Sequence, residues 1–126
     1  MNYVKVTYLL RFSENELKQM NQIWKVLCDC FFQKYIGKDD SVLDLGAGYG
    51  QFINNIRCGK KYALDINENT KMYVNKNIEV FISNCTEMKE IRSGSLNVVF
   101  ASNLFEHLKS KQEILKTLQE IYRVLN

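Results

Sequence analysis

Apolar residues in the first third of the chain recur at the spacing of one helix face. Ser13, followed three residues later by Glu16, forms a capping box that predicts the start of a helix. The apolar positions after it are Leu17, Met20, Ile23, Trp24, Leu27, Phe31 and Phe32. They predict one long amphipathic helix that extends to Tyr35 and ends near Gly37. Residues 3–10 alternate loosely, which is compatible with a short strand or with an arm that packs on the body.

Four short apolar runs in the rest of the chain predict β-strands. They cover residues 41–45, 61–66, 79–83 and 96–102, and each is too short for a typical helix and rich in Val, Ile, Phe or Tyr. We expect these strands to be buried on both faces. Helical spacing at residues 51–57 and 69–75 separates the first three strands. Strands that alternate with helices predict right-handed crossovers and a parallel sheet, which is an α/β fold.

A closing helix is predicted after the fourth strand, where Ser110 and Glu113 form a second capping box. The residues expected to form its buried stripe are Ile114, Leu115, Leu118, Ile121, Tyr122 and Leu125. The 126 residues fit a single domain. Within it we expect an arm and helix over residues 1–37 and an α/β core over residues 38–126.

Composition and charge narrow the class of protein. A content of 46% hydrophobic and 25% charged residues excludes a disordered or collagen-like chain. The net charge of +3 is spread along the sequence, which argues against a dedicated nucleic-acid surface. No apolar stretch is long enough to cross a bilayer, and the first ten residues lack the apolar core of a signal peptide. We therefore expect a cytosolic protein without a membrane partner.

The cysteine and histidine content predicts no metal site. Cys28, Cys30, Cys58 and Cys85 lack the spacing of a metal site, and the chain has a single histidine. We expect reduced, structural thiols at all four positions. Cys85 follows a predicted buried strand without a neighbouring Lys or His to lower its pKa, so a reactive role is not favoured there.

The segment VLDLGAGYG, residues 42–50, places a glycine-rich turn between a predicted strand and a predicted helix. Such a turn lets a ligand approach the backbone closely, beside the start of the helix. Asp65 follows the first glycine, Gly46, by 19 residues and ends the second predicted strand. This spacing is typical of an acid that accepts hydrogen bonds from ribose hydroxyls. The two features together predict a nucleoside-containing ligand at the carboxyl ends of parallel strands.

These motifs resemble those of the class I S-adenosylmethionine-dependent methyltransferases. VLDLGAGYG is similar to the first motif of that family, and YALDI to its second. VFISNCTEM, LNVVFASNLFEHL and IYRVLN continue the similarity over about residues 41–126. The resemblance implies a Rossmann-like parallel sheet flanked by helices, S-adenosylmethionine as cofactor and methyl transfer as activity. It does not identify the methyl acceptor.

The resemblance also implies which residues bind the cofactor: Asp44, Gly46, Gly48, Gly50, Asp65, Asn84, Cys85, Thr86, Ser102 and Asn103. By position, the glycines would border the methionine part of the cofactor, and Asp44 would support this loop or bind the amino group. Asp65 would hold the ribose. Residues 84–86 would lie near the adenine, and residues 102–103 would line the methionine side.

Candidate residues for the acceptor side are less specific. By the same resemblance, Glu106 and His107 would stand at the entrance of the acceptor site and are the candidates for a catalytic role. The alternative is that they cap the last helix or contact the edge of the cofactor. In-line displacement at a sulfonium methyl needs no covalent protein nucleophile, because aligning the reactants contributes most of the effect. The aromatic group Trp24, Phe31, Phe32 and Tyr35 fits core packing better than acceptor binding.

The chain departs from the family pattern in two respects. Asn84 and Asn97 stand where the family often carries an acid. The family builds a seven-stranded sheet, whereas no counterpart of the last three strands is present here. The strand predicted at residues 96–102 would then be an exposed apolar edge. A homodimer, a completing chain or a missing remainder of the same polypeptide would each explain it.

Two other functions compete with an active methyltransferase. A nicotinamide-dependent dehydrogenase shares the glycine turn and the ribose acid, but its GxGxxG pattern needs a small residue where this chain has Gln51. A non-catalytic cofactor-binding or structural remnant would explain the missing strands.

Overall fold

The structure is a computed structural model and describes residues 12–126. The interpretation of residues 3–10 as a strand or arm lies outside this range. The α-helices are α1 (Glu14–Cys30), α2 (Gln51–Asn55), α3 (Thr70–Tyr73) and α4 (Lys111–Val124). The strands are β1 (Ser41–Leu45), β2 (Lys60–Asp65), β3 (Glu79–Ile82) and β4 (Val98–Ala101), and 3-10 turns cover Phe32–Tyr35 and Phe105–His107.

The four strands form one parallel sheet in the order β3-β2-β1-β4. β1 pairs with β2 from Ser41 opposite Lys60 to Leu45 opposite Leu64, and with β4 from Val42 opposite Val98. The predicted parallel α/β sheet is thereby confirmed. Because β1 is central, the loop that follows it opens at the middle of the sheet's carboxyl edge, where parallel α/β folds bind ligands.

The prediction that all four strands are buried on both faces is wrong for β3 and β4. Only β1 is buried along nearly its whole length, and β2 is buried in its second half. Glu79 of β3 is exposed and the other residues of β3 and β4 are half-buried, because each of these strands has a neighbour on one side only.

Apolar cores lie on both faces of the sheet. On one face α1 and α2 cover a cluster that includes Cys28, Val42, Phe52, Ile53 and Ile56. On the other face α4 and the irregular segment between β3 and β4 cover a cluster that includes Leu43, Leu45, Met88, Leu96 and Val124. β1 alternates between the two clusters, as expected of a central strand.

Arg123 of α4 fastens the irregular segment between β3 and β4 to the helix. Its guanidinium donates to the carbonyl oxygens of Met88 and Ile91, at 2.8 and 2.9 Å, and pairs with Glu120. The hydrogen bonds from Arg123 hold the pKa of Glu120 below its usual range. This segment forms no helix or strand, so the side-chain hydrogen bonds of Arg123 hold it in place instead of regular backbone pairing.

Both predicted helix starts are confirmed, each by the N-cap serine. Ser13 Oγ accepts from the Glu16 N–H, and Ser110 Oγ from the Glu113 N–H, each at 3.2 Å. The first helix is shorter than predicted, however: it ends at Cys30 rather than near Tyr35, and a 3-10 turn follows it. Within that turn the Phe32 ring lies 5.0 Å from that of Phe100 on β4. Packing of this ring on the sheet, rather than the local helical pattern, sets the direction of the chain.

Several residues predicted to be buried are exposed. On α1 and the adjoining turn they include Ile23, Phe31 and Tyr35, and on α4 they are Leu115, Leu118 and Tyr122. Trp24 and Phe32 are partly buried against the core, as predicted. Residues 12–126 contain no helix that is both long and apolar enough to cross a membrane.

Candidate functional site

The glycine loop between β1 and α2 depends on backbone angles that favour glycine. Gly46, Gly48 and Gly50 have φ angles of 77°, 55° and 70°, in the left-handed region that side chains disfavour. The N–H groups of Gly46 and Ala47 donate to the Leu64 carbonyl at 2.8 and 3.1 Å. The loop is therefore bonded directly to the end of β2.

Asp65, the last residue of β2, bonds to the same loop. One carboxylate oxygen accepts from the Gly48 N–H at 2.8 Å, and the other accepts from the Asn67 N–H at 2.9 Å. The residue is buried, with 7% of its surface exposed. A carboxylate offers about four acceptor positions, so capacity remains after these two bonds. The structure thus brings together the two motifs that the sequence separates by 19 residues.

Asp44 lies beneath the loop and is almost fully buried, with 4% of its surface exposed. Burial raises the pKa of its carboxyl from 3.8 to about 7, a hydrogen bond from the Ile53 backbone opposes the rise, and the nearby Asp65 adds to it. Burial favours the neutral acid because a charge loses its hydration there. Asp44 can therefore change its ionisation near neutral pH, and a bound cation would favour the ionised form.

A cleft of about 150 Å³ opens at this loop. Six of the residues predicted for the site line it: Asp44, Gly46, Gly48, Ser102, Asn103 and His107. Its other walls include the aromatic side chains of Phe12, Trp24, Tyr49 and Phe100. The cleft combines a buried acid, the glycine loop and an apolar wall, a combination that suits a cationic group joined to an apolar segment.

The remaining predicted residues lie outside the cleft. Gly50 packs against the α3 end, where an added Cβ would lie 2.8 Å from a methyl group of Val74. Asn84 Oδ1 accepts two bonds from Thr86, from its N–H and its hydroxyl, both at 3.0 Å. Cys85 is buried in the core under α4, with its Sγ 3.4 Å from Thr117 Oγ1. Its thiol therefore packs structurally, as expected, whereas any role near a ligand would fall to its neighbours.

Glu106 and His107 lie in the 3-10 turn after β4. Their side chains are 57% and 67% exposed and approach each other to 4.0 Å. His107 lines the cleft, and Glu106 does not. Asn103, just before this turn, has a φ angle of 55°. A positive φ at a residue with a side chain is uncommon and costs energy, and such residues cluster at functional sites.

Sequence reasoning missed several residues of the cleft wall. Tyr49 stands within the glycine loop, and its ring lies 4.9 Å from that of Tyr73. Gln51 also lines the cleft, and its buried amide nitrogen has no hydrogen-bond partner in the described part of the chain. The position of Tyr49 inside the motif was a usable signal. Trp24 both packs on Phe100 and lines the cleft, so core packing and a place in the site are not alternatives for this residue.

The cysteines differ in exposure. Cys28 and Cys85 are buried, whereas Cys30 is exposed, which is inconsistent with a structural packing role for Cys30. No cluster of His, Cys, Asp and Glu with the arrangement of a metal site occurs within residues 12–126.

The family described as "Methyltransferase domain" matches residues 43–126 of the sequence, from β1 to the last residue of the chain. This match covers the glycine loop, Asp65 and the turn after β4. The chain belongs to the methyltransferase domain family. Membership assigns S-adenosylmethionine as the cofactor and decides against the dehydrogenase alternative. The residues present fit it, since the glycine loop and the buried carboxyl of Asp44 line one cleft together with apolar side chains.

Solved methyltransferase structures share the fold. A SAM-dependent methyltransferase from Archaeoglobus fulgidus is 22% identical, with a TM-score of 0.69, over 100% of this chain and 54% of that one. Phosphoethanolamine N-methyltransferase 1 from Haemonchus contortus, in complex with phosphoethanolamine and S-adenosylhomocysteine, is 20% identical, with a TM-score of 0.69, over 83% of this chain and 24% of that one.

A third solved structure contains a partner protein. It is the complex of the Trm112 methyltransferase activator of Haloferax volcanii with a methyltransferase, and the match is 18% identical, with a TM-score of 0.73, over 100% of this chain and 57% of that one. The chain spans about half the length of two of these structures and a quarter of the other. No curated protein matches the sequence.

Proposed function

We propose that the chain binds S-adenosylmethionine at this cleft and transfers its methyl group to an acceptor that is not yet identified. The observation that carries the proposal is the hydrogen bond from the Gly48 N–H to the Asp65 carboxylate. It joins the glycine loop to the acid after β2, so a ligand could contact both at once. Family membership supports the choice of cofactor.

The cofactor supplies a methyl group on a sulfonium centre. In this proposal the glycine loop admits the methionine part against its backbone, and Asp44 accepts hydrogen bonds from the ammonium group. Asp65 uses its remaining acceptor positions for the ribose hydroxyls. Residues 102–103 flank the methionine part, and Asn84 and Thr86 lie near the adenine.

Methyl transfer then requires the acceptor to be held in line with the methyl group. Such alignment contributes up to about 7–11 kcal/mol. The aromatic wall of the cleft supports this role, because it excludes water from one side of the reacting atoms. His107 is the candidate base for an acceptor that must lose a proton, since it lines the cleft, whereas Glu106 does not line it.

A non-catalytic role is the alternative, since the solved structures that the chain matches are at most 22% identical to it and share the fold alone. In this case the chain would bind the cofactor, or serve a structural purpose, without transferring a methyl group. The location in the cytosol stays a prediction from the sequence.

Isothermal titration with S-adenosylhomocysteine tests cofactor binding, with NAD as a control ligand. We expect S-adenosylhomocysteine to bind and NAD not to bind. Asp65→Ala removes the ribose acceptor and should weaken binding by about 1–3 kcal/mol, or roughly 5- to 150-fold. Asp39→Ala, an exposed acid at the opposite end of the sheet, is the matched control and should bind normally. Unchanged affinity in Asp65→Ala would remove this residue from the site.

Formation of S-adenosylhomocysteine from S-adenosylmethionine, measured over a panel of small-molecule, saccharide and protein acceptors, tests catalysis. Turnover that is lost in Asp65→Ala supports the methyltransferase. Binding without turnover on any acceptor supports the non-catalytic alternative, and a folded chain that binds neither adenosyl ligand contradicts the proposal.

A further inference from the structure

Asp44 and Asp65 are neighbouring buried acids that differ in how their charge is held. Asp65 accepts hydrogen bonds from two backbone N–H groups, those of Gly48 at 2.8 Å and Asn67 at 2.9 Å. Asp44 is buried more deeply, with 4% of its surface exposed against 7% for Asp65. A hydrogen bond from the Ile53 backbone favours its ionised form, whereas burial and the charge of Asp65 oppose it. Since the bonds to Asp65 hold its charge, a proton retained by this pair of acids lies on Asp44.

The elements around Asp44 place no fixed positive charge in the cleft. The strand β4 and the helix α2, which pack against β1, contain no titratable side chain. From α1 comes the thiol of Cys28, which stays neutral because burial raises its pKa to about 11. Tyr49 and His107 line the cleft, and no Lys or Arg of residues 12–126 lines it. Of these groups only a histidine ordinarily titrates between pH 5 and pH 8, so an experiment must separate Asp44 from His107.

We propose that Asp44 releases a proton when the cofactor binds, because it is the neutral acid in the free chain and the carboxylate in the complex. The inference rests on the proposed function, since it requires the ammonium group of the cofactor to lie at Asp44. The O–H bond of the Asp44 carboxyl breaks, and its proton passes to the solvent. The carboxylate that remains accepts hydrogen bonds from the ammonium group, and no other covalent bond changes.

The exchange makes cofactor affinity depend on pH. Burial raises the pKa of Asp44 to about 7, so below pH 7 binding must displace a bound proton. The affinity should then fall by up to about tenfold for each pH unit, and it should be level above pH 7, where the carboxyl is already ionised. A ligand that has the adenosyl group without the ammonium should show neither effect. Asp44 thereby makes the cleft selective for the amino acid part of the cofactor.

Isothermal titration of the full chain with S-adenosylhomocysteine, in buffers of different ionisation enthalpy from pH 5 to pH 8, counts the released protons. We expect close to one proton per bound ligand at pH 6 and few at pH 8. Asp44→Asn is the matched variant, because it keeps the shape of the side chain and has no proton to lose. It should bind more weakly, with an affinity that no longer falls towards pH 5, and release no proton. His107→Asn should leave the proton release in place.

Methylthioadenosine is the matched control ligand, because it shares the adenosyl thioether and lacks the amino acid group. We expect it to bind the wild type without proton release at pH 6. Proton release with this ligand, or release that is kept in Asp44→Asn and lost in His107→Asn, would assign the proton to another group and overturn the inference.

Carbon-13 NMR of the Asp44 carboxyl in the free chain tests the first half of the inference without any ligand. The titration midpoint should lie near pH 7, and a midpoint below pH 5 overturns the inference. If Asp44→Asn does not fold, this midpoint and the methylthioadenosine experiment decide. Binding of S-adenosylhomocysteine at pH 8 without proton release at pH 6 contradicts the inference alone and leaves the proposed function standing. A folded chain that binds no adenosyl ligand at any pH contradicts both.

Discussion

Replacement of Asp44 by Asn should remove most of a pH-dependent loss of stability. Burial places the pKa of the folded carboxyl at about 7, against an ordinary value of 3.8. Between these values the unfolded chain is ionised and the folded chain keeps its proton, so unfolding releases a proton. Stability of the wild type therefore falls as the pH rises towards 7 and is level above it. The amide of the Asp44→Asn variant has no proton to lose, so this contribution is absent there.

The size of the effect follows from the pKa. From pH 5 to pH 7 the raised pKa of Asp44 lowers the free energy of unfolding of the wild type by about 1.36 kcal/mol per pH unit. Between pH 5 and pH 8 the stability of the variant, relative to that of the wild type, should therefore increase by about 3 kcal/mol. Urea unfolding of both proteins at each pH measures this difference. Asn keeps an oxygen for the Ile53 N–H, so the local bond can be retained.

Asp39→Asn provides the control for the Asp44 experiment, because it makes the same change of carboxyl to amide at an exposed position. A difference between Asp44→Asn and wild type that stays constant from pH 5 to pH 8 would refute the reasoning. It would mean that Asp44 is ionised in the folded chain throughout this range, and that burial does not control its charge.

Three further predictions concern stability and reactivity. In thermal unfolding, Gly50→Ala should lower the stability by more than Gly94→Ala does. Both substitutions cost about 1–2 kcal/mol because the residue has a positive φ. Only the methyl group added at Gly50 lies 2.8 Å from another atom, whereas Gly94 faces open space. Arg123→Met should cost about 2–3 kcal/mol in urea unfolding, because two partly buried carbonyls lose a charged donor; an unchanged midpoint would contradict the role given to this side chain. Burial raises the pKa of Cys28 to about 11, so iodoacetamide at neutral pH should alkylate exposed Cys30 and spare Cys28 until the chain unfolds, as read by peptide mass spectrometry.

The order of the elements could be predicted because it depends on local patterns. Runs of β-branched residues locate the strands to within about two residues of their observed ends. Ser13 and Ser110 mark the starts of α1 and α4 because a cap is formed by residues within one turn. The glycine loop and Asp65 could be identified because their spacing reflects one strand, one turn and one helix.

Features that depend on distant neighbours could not be predicted. α1 ends early because Phe32 packs on Phe100, 68 positions later in the chain. Helical periodicity shows which side of a helix is apolar, but it does not show whether another element covers that side, so Ile23 and Leu118 were wrongly expected to be buried. The place of Gln51 in the cleft wall likewise follows from where α1 and the turn after β4 meet the loop.

The bonds from the glycine loop to Leu64 and Asp65 also fix a length. They set the separation between the cleft and the acid at the end of β2 before any ligand arrives, so the ordering entropy of this arrangement is part of folding and not of binding. A ligand with two polar ends must therefore match the fixed distance between the cleft and Asp65. An adenosyl amino acid with one extra methylene between its sulfur and its amino acid group would satisfy one end at a time, and the loop could not lengthen to accommodate it without leaving β2.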